Sequence, residues 1–267
     1  MKNKCTTLML ALVLLVSTGA VAQAFSITFS GSGPLNSDLK AQVQFSVLAG
    51  QFLEVTLSNI GGDVLVPSHV LTAILFTLNT DDNPATSDAL TPVSATVNAP
   101  STVLFDTVAP IPIIGNVGNV GGEFAYKSGL SGAPFGATEG ISSSGLNLFG
   151  AGNFPDLVNL YGQPAVNGGG YGITSKNDNM ATGNPAVKGG EPLIKYSVVF
   201  VLSGLPAGFD EADVMANLSN IVLVYGTSVT GDANGGGSFE AVPEPGTFAL
   251  LGLGLAGLAV LRRRSNR

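Results

Sequence analysis

The chain has 267 residues and a net charge of −7, with 45% hydrophobic and only 11% charged residues. Between residues 25 and 242 only Lys40, Lys127, Lys176, Lys188 and Lys195 face 17 carboxylates, a net charge of −12 with no arginine. A phosphate-binding surface needs clustered Lys and Arg to displace counterions, which argues against a nucleic-acid partner. A single cysteine, Cys5, and a single histidine, His69, exclude a disulfide framework and a multi-histidine or multi-cysteine metal centre.

The N-terminus reads as a removable signal peptide over residues 1–24. Lys2 and Lys4 supply the positive start, Thr6 to Val16 an apolar run, and Ala22-Gln23-Ala24 a small-residue cleavage site. Ala22, Ala24 and Phe25 therefore define the expected cut, with the mature chain beginning at Phe25. Signal peptidase is the partner that this segment implies.

A β-rich body is expected over residues 25–229. Alternating or β-branched runs predict strands over 25–30, 41–48, 51–59, 70–78, 93–98, 102–108, 123–127, 194–203 and 221–228. The clearest is 51–59, where Leu53, Val55 and Leu57 face one way and Glu54, Thr56 and Ser58 the other. Ala49-Gly50 reads as the hairpin turn before it. One helix is expected from Asp210, its capping residue, to Leu218. Strands with turn signals and almost no helix predict a mainly β fold, an antiparallel β-sandwich or jelly-roll-like body.

Residues 115–190 hold 19 of the 36 glycines and read as long loops inserted in that body, with short strands at most. Residues 230–241, with Gly235-Gly236-Gly237, read as a flexible linker. Asp81, Asp82 and Asp88 form the one oxygen-ligand cluster, which makes calcium the sole cofactor candidate. Calcium takes about six to eight oxygens, and Asp-Asn-Pro is also ordinary turn composition, so the turn is the simpler reading. His69 follows Pro67-Ser68 at the start of an apolar run, as a strand-edge or capping residue would. No G-x-S-x-G elbow accompanies it.

The C-terminus, 242–267, carries the most specific signal. Val242-Pro243-Glu244-Pro245 precedes an uncharged run from Phe248 to Leu261 and then Arg262-Arg263-Arg264. The prolines impose an extended, helix-incompatible segment. The apolar run predicts a transmembrane helix at about 246–261. Counted from Pro245 it is about 25 Å long at 1.5 Å per residue, short against a hydrocarbon core of about 30 Å. Arg262, Arg263 and Arg264 act as the stop-transfer cluster and stay cytoplasmic by the positive-inside rule. Gly252-Leu253-Gly254-Leu255-Ala256-Gly257 matches G-x-G-x-x-G only by accident, because neither a βαβ unit nor a following acid accompanies it.

Pro-Glu-Pro, a Gly-rich apolar helix and a terminal arginine cluster together resemble the PEP-CTERM sorting domain. Short runs of the body, such as 70–76 and 224–227, are similar to other exosortase-dependent surface proteins. The resemblance implies an integral-membrane protease, exosortase, that reads Pro243, Glu244 and Pro245, removes the tail and passes the protein outside.

The expected function is that of an exported, non-enzymatic surface or extracellular-matrix protein. It would be anchored transiently in the inner membrane and meet extracellular polysaccharide outside. The alternative is a carbohydrate-binding or carbohydrate-cleaving β-sandwich delivered by the same route. The body has no Trp and five Tyr, thin material for stacking on sugars.

Overall fold

The computed structural model describes residues 26–33, 36–49, 51–80, 90–105, 118–149 and 170–243. In chain order the strands are β1 (Ser26–Ser32), β2 (Lys40–Leu48), β3 (Phe52–Asn59), β4 (Leu71–Leu78), β5 (Thr91–Thr96), β6 (Thr102–Leu104) and β7 (Ala125–Ser128). They continue as β8 (Glu139–Ser142), β9 (Ile173–Thr174), β10 (Leu193–Lys195), β11 (Ser197–Ser203), β12 (Leu218–Tyr225), β13 (Gly237–Glu240) and β14 (Val242–Pro243). The α-helix α1 (Glu211–Asn217) precedes β12. The fold is thus mainly β, with two sheets.

The first sheet has the order β14-β1-β2-β3-β11-β5. The second runs β13-β12-β4-β9-β10-β6, with β8 also on β4 and β7 on β8. Pairing is antiparallel apart from β9 with β10. One apolar cluster joins the inner faces: Phe45, Val55 and Phe200 from the first sheet meet Ile74, Phe76 and Leu223 from the second. β3 shows how the alternating pattern builds it. Leu53, Val55 and Leu57 are buried, while Glu54 and Thr56 between them stay half-buried.

β4 is buried along nearly its whole length, and its sequence explains why. LTAILFTL has apolar residues on both faces. Phe76 points into the shared core, whereas Ala73 and Leu75 enter a second cluster with Leu130, Leu146 and Phe149. The glycine-rich stretch therefore adds β7, β8 and β9 to the second sheet, and its Leu130, Leu146 and Phe149 cover the face of β4 turned away from the shared core. Glycine permits the close approach: a Cβ on Gly140 would stand 2.5 Å from Leu75 Cδ2.

Two expected elements take a different form. The single strand 194–203 is broken at Tyr196, with φ at 87°. β10 belongs to the second sheet and β11 to the first, so the chain changes sheet there. The expected linker 230–241 contains β13, whose Phe239 stacks on Tyr225 with ring centroids 5.6 Å apart. Its glycines serve packing. A Cβ on Gly237, at φ 112°, would lie 2.6 Å from Gly231 Cα. Gly237→Val should therefore cost about 2 kcal/mol or more, from left-handed strain and overlap together. Chemical denaturation checks this, and an unchanged midpoint would show that the loop relaxes freely.

α1 forms where expected. Asp210 Oδ1 accepts from the N–H groups of Ala212 at 2.8 Å and Asp213 at 3.0 Å, and Asp213 Oδ2 accepts from Asp210 N–H at 3.0 Å. This reciprocal cap satisfies donors that a helix start leaves free. Val214 anchors the helix in the core.

Candidate functional site

Among the described residues two places have functional geometry: the start of the sorting segment and a polar cleft where β12 ends. At the first, β14 forms the outer edge of the first sheet, with Ser30 opposite Val242 and Phe29 opposite Pro243. Val242 is 61% exposed. Of the expected recognition residues, only Pro243 is described, and it sits in a strand. Glu244 and Pro245 lie outside the described residues. So do Ala22, Ala24 and Phe25, the calcium candidates Asp81, Asp82 and Asp88, and the expected stop-transfer residues Arg262, Arg263 and Arg264. No helix among the described residues is long and apolar enough to cross a membrane; the expected span at 246–261 lies outside them.

The cleft, with a volume of about 300 Å³, lies where β12 ends. Val66 and Pro67 form an apolar wall, Tyr225 and Gly226 lie at its base, and polar side chains complete the rim. Three loops meet there, and each is tied down by backbone or carboxylate bonds. Asp178 Oδ1 accepts from Val64 N–H at 3.0 Å, and Asp63 accepts from Asn179 N–H at 3.2 Å and the Thr182 hydroxyl at 3.4 Å. The Asn184 N–H then donates to Leu65 O at 2.8 Å, which sets Asn184 at the rim. Burial raises the Asp178 carboxyl above its ordinary range and Asp63 adds to the rise, while the Val64 N–H and the Lys195 charge oppose it.

Asp232 organises the third loop. Its Oδ1 accepts from Asn234 N–H at 2.8 Å and Gly236 N–H at 3.1 Å. What burial it has pushes the carboxyl up, but these N–H groups, with Ser68 and His69 nearby, outweigh it and hold the group below the usual carboxylate range. Ser68 Oγ is shut off from solvent beside that carboxylate without closing a hydrogen bond of its own.

His69 is the last residue of the short 3-10 turn Pro67–His69, and its side chain does not cap the turn. Its Nε2 lies 3.0 Å from Asn234 O and 3.4 Å from Asn36 Nδ2. The imidazole thereby joins three segments distant in sequence. Sequence reasoning missed the cleft because Asp232 and Asn234 fall in the segment expected as a linker. Their only local signal was turn composition.

The expected calcium cluster has no counterpart elsewhere: among the described residues no three His, Cys, Asp or Glu side chains gather to hold a metal ion.

A family model for the PEP-CTERM protein-sorting motif matches residues 241–264. The C-terminus is thus a sorting signal for export, and it takes in β14, the last paired strand. No curated protein and no solved structure matches the chain.

Proposed function

We propose that this protein is an exported, non-enzymatic component of the cell surface or extracellular matrix, held briefly at the inner membrane and released when exosortase cuts at its C-terminal signal. The observation that carries the reading is the motif match at 241–264, whose first residues include β14 on the sheet edge. Two sheets around one core form a β-sandwich that delivers both ends to one place. β14 pairs antiparallel with β1, so Pro243 faces Phe29 only a few residues from the expected mature N-terminus. A signal peptide and a tail helix inserted in the same membrane then leave the body from one end.

The non-enzymatic part of the reading is supported by the chemistry of the cleft. The one carboxylate among its described lining residues, Asp232, has its Oδ1 engaged by two backbone N–H groups, and the nearby imidazole donates to a backbone carbonyl. General acid–base work needs groups free to exchange protons with a substrate.

The sorting role is tested by following the chain in membrane and medium fractions of an exosortase-bearing host. Wild-type protein should appear shortened and outside the inner membrane, whereas Glu244→Ala should accumulate there at full length. Neutral replacements of Arg262, Arg263 and Arg264 should instead disturb helix orientation. Equal release of wild type and Glu244→Ala would overturn the recognition role. Permanent retention of the wild type would make the tail a plain anchor.

A further inference from the structure

We infer that the cleft between Pro67, Asn184 and Asp232 is a binding site for a neutral, hydroxyl-rich ligand, a sugar ring of an extracellular glycan, presented away from the membrane. Three observations converge on it. The first is the lining. Thr227, Ser228, Thr230, Asp232, Asn184 and Asn234 surround the space, and among the described residues neither Lys nor Arg lines it. Carboxylate, amide and hydroxyl groups pair with sugar hydroxyls, which both donate and accept. An anionic ligand would meet the Asp232 charge with no cation to offset it. On the other wall, Val66 and Pro67 offer an apolar surface for the C–H face of a ring. A volume of about 300 Å³ lies at the small end of ligand sites and suits one ring rather than a long chain segment.

The second observation is preorganisation. Asp232 has its Oδ1 fixed by the N–H groups of Asn234 and Gly236, and Asn184 is fixed through its N–H on Leu65 O. Ser228 and Thr230 hydroxyls are 2.8 Å apart. A rim held in place before binding loses less entropy when a ligand arrives.

The third observation is direction. Gly237 lines the cleft, and from there β13 and β14 run to Pro243, six residues and about 20 Å at 3.3 Å per residue. β14 lies antiparallel to β1, whose far end, beyond Ser32, leads to Asn36 beside His69. The chain thus heads away from the cleft as it enters the sorting segment, reaching Pro243 opposite Phe29, partway along β1. While the tail is in the membrane, the cleft faces outward.

Ligand binding by the cleft does not depend on the tail, so its failure and a failure of sorting are separate results. The test uses the full chain in mild detergent, with methyl glycosides of glucose, galactose and mannose and with methyl glucuronide as probes. Saturation-transfer NMR reports which of them bind. At least one neutral glycoside should bind in the millimolar range or better, and methyl glucuronide should not. Asp232→Asn keeps an acceptor for the two backbone N–H groups but removes the charge, and should weaken binding about tenfold. Ser228→Tyr, at an exposed rim position, should fill the cleft and abolish it. Absence of binding by all three neutral probes would overturn the proposal. Stronger binding of the glucuronide would overturn the neutral class. Binding unchanged in both variants would place the sugar elsewhere.

Discussion

Phe45→Ala should lower the stability of the body by about 3–5 kcal/mol, the range for emptying a large buried aromatic site. Phe45 is fully buried on β2, and its ring meets Phe76 of β4 edge to face, with centroids 5.7 Å apart and an interplanar angle of 73°. The pair joins the two sheets, so truncation removes apolar burial, an aromatic contact and inter-sheet packing together. Typical domains are stable by about 5–15 kcal/mol, so the loss is a large share of the total. In thermal denaturation the midpoint should fall by about 10 °C. A shift of a degree or two would mean that neighbouring side chains collapse into the gap, and that the sheets are held elsewhere.

The second large effect is a dependence of stability on pH that runs opposite to ordinary acid unfolding. Glu139 of β8 is 1% exposed. Tyr126 Oη donates to its Oε2 at 2.7 Å and Leu78 N–H to its Oε1 at 3.4 Å. Burial pushes its carboxyl up from 4.5 to about 7, and the two donors offset only part of that rise. The Tyr126 hydroxyl is pushed up too, by burial and then by the adjacent carboxylate. The folded protein therefore binds the Glu139 proton more tightly than the unfolded chain. The stabilisation is fully present below about pH 4.5 and is lost as pH rises through about 7. A shift of this size corresponds to about 3 kcal/mol. Asp178, also raised, contributes with the same sign.

Glu139→Gln isolates the effect, because an amide does not titrate. Urea unfolding between pH 4.5 and 8 should show wild-type stability declining across this window and a much flatter profile for the variant. At pH 8 the variant should be the more stable of the two. An equal slope in both proteins would assign the dependence to other groups.

Local signals carried much of this. The alternation of Leu53, Val55 and Leu57 located β3 and its buried face, since side chains on a strand alternate between faces whatever lies beyond. Asp210 marked the start of α1, since a cap bonds within its own turn. Pro243-Glu244-Pro245, the apolar run and the arginine cluster identified the sorting tail, because the motif is a run of neighbouring residues and needs no fold to be legible. The mainly β class followed from the same local patterns.

Other features depended on partners far away in the chain. Two-residue β9 and β14 have no periodicity of their own; they exist because Ile173 lies opposite Leu71 and Ile194, and Pro243 opposite Phe29. The glycines at 235–237 have the composition of a linker, yet their value lies in the space that Ser68 and Gly231 leave them. Glu139 looks like any surface acid until β4, β7 and the Leu90 segment close around it and Tyr126. The cleft is the extreme case. Asn36, His69, Asn184 and Asp232 are spread over nearly two hundred residues and meet only because strand pairing brings three loops to one end. The sequence by itself thus determined where the protein is sent and what class of fold it adopts, because those signals act over a few neighbouring residues. Tertiary structure decided which polar groups converge, because hydrogen-bond geometry and packing link residues by distance in space.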